Sequence, residues 1–157
     1  IMKTLLNILL FGVVYSIICA ACNDIGNNNI EITYPKELDI SNFSLTETAC
    51  SWNWKNIRID TVHVINSEEK LIKYITCEKE NTLSIDFNKY TLLIAHGGTT
   101  SGVHKIDRNL QQTSINEYKL IVDITLDMTT VAQGWMIAIL TPKLLSSTTI
   151  ELVVKQH

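Results

Sequence analysis

The sequence predicts an α+β fold made mainly of antiparallel β-strands, a sandwich or small barrel with one short helix near residues 67–76. Three observations carry that expectation. Segments rich in β-branched residues recur at spacings of roughly 10–17 residues through the C-terminal half, with turn residues between them. Tyr90-Thr91-Leu92-Leu93-Ile94-Ala95 is a continuous apolar run, the pattern of a central strand. Only the stretch after Asn66 combines a cap with helical spacing of apolar residues. Hydrophobic residues make up 46% of the 157 and charged residues only 18%, which excludes disorder throughout and fits one ordinary domain.

The chain begins with a segment of a different kind. Met2-Lys3 is followed by an apolar run from Leu5 to Ile18 and then by Cys19-Ala20-Ala21-Cys22. A positive start, a short apolar core and small residues form the layout of a secretory signal peptide, and the run is short for a membrane span. The junction resembles the bacterial lipobox with Cys22 as the lipidated, mature N-terminus, although Cys19 stands where that motif usually has Leu. Residues 1–21 are thus expected to be a lipoprotein signal peptide and 22–34 a lipidated tether, polar and turn-rich through Asn23–Asn29. Residues 35–157 are expected to form a single β-rich domain. Two or three acyl chains on Cys22 would hold it stably to a bilayer. Cleavage before Cys22 would remove Lys3 and no acidic residue, leaving 12 basic against 16 acidic residues, a net charge of −4. Lys and Arg are scattered, so no nucleic-acid footprint is present. Two cysteines then remain, Cys50 and Cys77, and an even remainder in an oxidising compartment predicts one disulfide.

Within the domain, Ile30–Tyr34 reads as a short lead-in strand that stops at Pro35. Ile57 to Ile65 alternates and is rich in β-branched residues, which predicts a strand. Asn66 or Ser67 can cap a helix of about ten residues, with Glu68 and Glu69 at its positive end and Leu71, Ile72 and Ile75 on one face. After the polar loop 78–82, the run from Tyr90 to Ala95 leads to a flexible turn, Gly97-Gly98-Thr99-Thr100-Ser101-Gly102. Strands are then predicted at Val103–Thr113, Tyr118–Leu126, Trp135–Leu140 and Thr149–Val154. Asn116-Glu117 reads as a hairpin turn and Thr129–Gly134 as a longer connection.

Residues that could carry chemistry are few. His96 and His104 bracket the glycine turn but lack a third metal ligand, and His63 reads as structural. His157 reads as a disordered terminus. Ser101 lies near His104, with Asp107 and Asp123 available, yet nothing resembles the GxSxG elbow. The glycines do not resemble a phosphate loop, because no GK[ST] follows and the next element is a strand. Asp60, Asp86, Asp123 and Asp127 each sit in or beside a strand, where a solvated face explains them. No catalytic residue, metal or cofactor is assigned, and the protein is not expected to be an enzyme. Trp52, Trp54 and Trp135 invite an alternative, a glycan-binding accessory lipoprotein that stacks sugars on exposed indoles.

From about Cys50 onward the chain resembles small Bacteroidetes lipoproteins. The segments that carry this are Cys50-Ser51-Trp52, Val64–Glu69, Cys77, Ile85–Leu93 and Thr129–Gln133. The turn Thr100–Ile106 and the late Pro142 are more loosely similar to the C-terminal domain of protease-complex lipoproteins, where the turn commonly reads Thr-Gly-Gly-Tyr. That resemblance implies binding to a protein partner, with a protease as the candidate, as stabiliser or inhibitor. It implies a place in the cell envelope, anchored by lipid to the outer membrane on its periplasmic or surface face. Loops on a rigid sheet are where recognition residues collect. The expected partner-binding residues are therefore Gly97, Gly98, Thr99, Thr100, Ser101 and Gly102 with Thr129, Thr130, Gln133 and Gly134.

Overall fold

The computed structural model describes residues 33–78 and 83–157. The expected signal peptide, Cys22, the expected tether as far as residue 32 and most of the 78–82 loop lie outside the described residues. Residues Thr33–His157 form one compact unit.

Alternation builds its largest layer. In β8 (Glu117–Leu126) Leu120, Val122 and Ile124 are fully buried while the residues between them reach the surface. β7 (Val103–Gln112) pairs with it antiparallel, β1 (Lys36–Leu38) covers the end of β7, and β10 (Thr149–Gln156) runs parallel to β8 on the far side. A second sheet stacks on this one in the order β2 (Ser41–Asn42), β9 (Gln133–Pro142), β6 (Tyr90–Thr99), β4 (His63–Ile65), all antiparallel. Both sheets are open, so the architecture is a sandwich and not a barrel. Leu110, Leu120, Val122 and Ile124 meet Leu93, Ala95, Trp135, Ile137 and Ile139 between them. Each fully buried aliphatic side chain contributes about 1.5–3 kcal/mol relative to exposure.

The second sheet is dry on its other face as well. Leu92, Ile94 and Ile65 pack there against Leu45, Ile57, Leu71, Ile75 and Ile85. The covering layer holds a two-stranded ribbon, β3 (Cys50–Trp52) and β5 (Ile75–Cys77), with α1 (Glu68–Leu71). Burial on both faces is why β6 reads as an unbroken apolar run. Polar residues are buried in this sheet too, Thr141 among them: the fully buried Thr91 lies 2.5 Å from Asn66 Oδ1, to which it donates, and accepts the Leu144 N–H at 2.9 Å. Cys50 and Cys77 face each other across the ribbon and form a disulfide, as the cysteine count predicts.

Several boundaries differ from the sequence reading. The helix is a single turn: Ser67 caps it by accepting the Lys70 N–H at 3.3 Å, but Ile72 is 58% exposed and Ile75 belongs to β5. The apolar spacing that suggested ten helical residues thus divides between a turn, solvent and a strand. The strand expected over Ile57–Ile65 shrinks to His63–Ile65, because Asp60 takes a positive φ of 52° and its N–H turns to the His96 carbonyl. Of the lead-in expected over Ile30–Tyr34, residues 30–32 lie outside the described residues, Thr33 and Tyr34 are in no strand, and the first described strand starts after Pro35. Gly97 and Gly98 are strand residues, which confines the turn to Thr100–Gly102. His157 is ordered: its backbone exchanges hydrogen bonds with Ile124 and Leu126, and its ring reaches Asp123 at 3.3 Å.

Candidate interaction site at one end of the sandwich

The two loops expected to bind a partner are about 30 residues apart in sequence, and the fold brings them together. At the end of the β6–β9 ladder Gly97 faces Trp135, Gly98 faces Gly134 and Thr99 faces Gln133. The chain then crosses to the other sheet through Thr100–Gly102, and side chains of the β8–β9 connection bind that turn. Gly102 N–H donates to Thr129 Oγ1 at 3.0 Å, Val103 N–H to Gln133 Oε1 at 2.9 Å and Asp127 N–H to Gly102 O at 2.9 Å. Thr99 Oγ1 lies 2.5 Å from Ser101 O and 3.0 Å from Gln133 O, between which its one proton is shared.

Asp127 organises this lock. Its Oδ1 accepts from the Thr129 hydroxyl at 2.6 Å and the Thr129 N–H at 2.8 Å. Those two bonds, with a smaller contribution from His104, hold its pKa below the ordinary carboxylate value. The folded state therefore binds this proton more weakly than the unfolded chain, so the anchoring is present above the ordinary carboxylate pKa and is lost as pH falls through the lowered one. The Gly102 amide is expected to keep its hydrogen-exchange protection at neutral pH and to lose it on acidification, and to be unprotected at neutral pH in Asp127→Ala. Equal protection in both proteins would show that the lock does not order the turn.

The four described glycines, all at this end, are not equivalent. A Cβ on Gly97 would lie 2.6 Å from Trp135 Cζ2 and 2.8 Å from Asp60 Oδ1, and one on Gly102 would strike Asp127 and Thr129. Packing under the buried indole demands glycine at Gly97, and a side chain at Gly102 would displace the Asp127 and Thr129 groups that bind the turn. Gly98 and Gly134 are exposed, have no positive φ, and a Cβ on either would meet nothing nearer than 3.9 Å. Thr100, Thr129 and Thr130 are also exposed, and Ser101 is half-buried. Sequence reasoning did not single out Met128 and Val131, which are fully exposed and 70% exposed beside these loops. The available signal was an apolar side chain inside an otherwise polar connection. Asp127, read as a strand-end carboxylate, is the anchor of the turn.

The other candidates are held apart. His96 Nε2 lies 2.9 Å from Ile57 O, and its ring meets the Trp54 indole edge-on at 5.6 Å. Asp107 pairs with Lys105 at 2.7 Å and Asp86 with Lys89 at 3.3 Å. Among the described residues no hydrogen bond joins Ser101, His104 and an aspartate, and no group of three His, Cys, Asp or Glu side chains could hold a metal ion. Trp52 packs edge-on against Phe43 at 6.0 Å, Trp135 is buried, and Trp54 is 56% exposed. Among the described residues no helix is long and apolar enough to cross a membrane.

His63 is 7% exposed and accepts the Arg58 N–H at Nε2, 2.9 Å away, which requires a ring with an unprotonated Nε2. Burial, then the nearby charges of Arg58 and His96, holds its pKa below the ordinary 6.5. The unfolded chain binds this proton more readily, so stability should fall as pH drops from about 6.5 towards the lowered value. His63→Gln should flatten that part of a urea-midpoint profile, and an unchanged slope would exclude His63 as the cause.

No protein-family model matches the chain, and neither a curated protein nor a solved structure matches it.

Proposed function

We propose that this chain is a lipoprotein of the cell envelope, anchored to the outer membrane through Cys22, that binds a protein partner with one end of its sandwich and catalyses no reaction. The partner that the sequence resemblance favours is a protease, held as inhibitor or stabiliser. One observation carries this reading: two loops distant in sequence interlock into one surface that presents Met128 and Val131 to solvent. Exposed apolar side chains on a hydrogen-bonded frame suit recognition, since little conformational entropy is lost when they are covered. The glycan reading is weaker. Of the three indoles only Trp54 is well exposed, and the His96 ring packs edge-on against it.

The test is capture on the immobilised full chain from native envelope extract and from secreted proteases, with inhibition assays against serine, cysteine and metalloprotease panels. A specific protein partner is expected, and its capture should drop at least tenfold in a Met128→Asp/Val131→Asp variant. No capture and no inhibition would overturn the proposal. Cys22→Ala should move the protein from the membrane fraction to the soluble fraction.

A further inference from the structure

The sandwich is unevenly closed along the side where β2 lies. β9 is ten residues long, but β2 pairs only with Ile139 and Leu140, and the last bond of that edge runs from Phe43 N–H to Ala138 O at 2.9 Å. The chain then turns away so that Leu45 can enter the covering core. Gln133–Ile137 is left without a neighbour on that side among the described residues.

The direction of its backbone groups follows from the register. Antiparallel pairs alternate between those that exchange hydrogen bonds and those whose N–H and C=O point to the outer edges. The Asp60 N–H reaches the His96 carbonyl from outside the β6–β9 ladder, and Phe43 N–H reaches the Ala138 carbonyl from the opposite side. Even-numbered residues of both strands therefore point outward, and they face one another as His96–Met136 and Gly98–Gly134. On the β6 side His96 O is taken by Asp60, and Gly98 O accepts from Gln156 Nε2 at 3.4 Å. On the β9 side no such bond from the described residues reaches Gly134 or Met136. Two N–H and two C=O groups stand in line there, beside a residue with no side chain to shield them.

We propose that this open edge of β9 is where the partner of the preceding section docks, by adding an extended segment antiparallel to Gln133–Ile137 in line with β2. The proposal rests on that reading of the function and names its mode of recognition. Such strand addition takes affinity from main-chain hydrogen bonds and specificity from alternate side chains. The added residue opposite Ile137 would point as Asn42 does, towards the first sheet. Beside Asn42, between β2 and β7, is a hollow lined by Ile40, Asn42, Ile106, Asp107 and Arg108, with Arg108 hydrogen-bonded to Asn42. Extended protein backbone is the occupant because five strand residues span only ~17 Å. Pairing two copies over that length would bury a few hundred Å², far below the roughly 1,200 Å² of a stable interface. A partner that also rests on the adjoining Thr129–Gly134 loop has the area it needs.

Amide exchange of the full chain, free and with a heptapeptide selected on it from a random display library, tests this. In the free protein Gly134 and Met136 amides should exchange fast while Trp135 and Ile137 are protected. The selected peptide should slow Gly134 and Met136 at least tenfold. Gly134→Pro, which removes an outward donor and also fixes φ, should weaken the peptide at least tenfold while the Val103 amide keeps its protection, and Gly134→Val should change it less than twofold. Slow exchange at Gly134 and Met136 in the free protein would overturn the proposal. So would failure to select any peptide, protection confined to the 129–132 loop, wild-type affinity in Gly134→Pro, or concentration-dependent protection from self-pairing. Capture of a partner through Met128 and Val131 with the edge unprotected would overturn this inference and leave the function standing. Edge protection by peptide with no protein partner captured would do the reverse.

Discussion

A Cys50→Ser/Cys77→Ser variant is expected to lose about 3–4 kcal/mol of stability. The bridge joins residues 27 apart in sequence, and chain-entropy arguments assign a loop of that size about 3–4 kcal/mol, through restriction of the unfolded state. The bridged ribbon also belongs to the layer over Leu92 and Ile94, so the loss falls on the cover of a dry sheet. Urea unfolding is the measurement, with the midpoint falling and the slope kept if the transition stays two-state. A loss below about 1 kcal/mol would mean that the ribbon is held without its bridge. Thiol labelling should find Cys50 and Cys77 blocked until a reductant is added.

The second large effect is expected at Gly97. Gly97→Ala places a methyl group 2.6 Å from Cζ2 of a Trp135 that is 4% exposed and packed in the main core. The indole cannot move without opening contacts in the core, and overpacking of this kind costs about 1–3 kcal/mol. Gly98→Ala, one residue on, meets open space and should stay within about 0.5 kcal/mol of the parent. The pair is a sharp comparison because hydropathy and strand propensity change equally at both. Denaturation midpoints with Trp fluorescence read both; equal effects would remove the steric account.

The strands were legible wherever one physical pattern dominated. Alternation gave β7 and β8 within a residue or so, and the unbroken run Leu92–Ala95 marked the doubly covered strand. Pattern failed where one residue overruled it. Ile57–Ile65 alternates well, but Asp60 turns the backbone, and no periodicity reports a positive φ. Ile72 sits at helical spacing and faces water. For the site, the loops could be named from their small polar residues. Their meeting could not, because it depends on the pairing of Gly98 with Gly134 across two strands. The roles of Thr129 and Gln133 as turn anchors exist only once that register is set.

β6 raises a question of alignment. Its middle is apolar on both sides, with Leu93 and Ala95 in one core and Leu92 and Ile94 in the other. Sliding such a strand by one residue exchanges the two sets and still buries both, so burial alone cannot choose between the alignments. The choice must come from residues that tolerate only one position. Thr91 supplies one at the start of the strand, since its hydroxyl must meet both Asn66 and the Leu144 amide inside the protein. Gly97 supplies the other, because the space beneath Trp135 admits no side chain. Two small residues at opposite ends thus index the strand, and the hydrophobic residues between them supply cohesion without instruction.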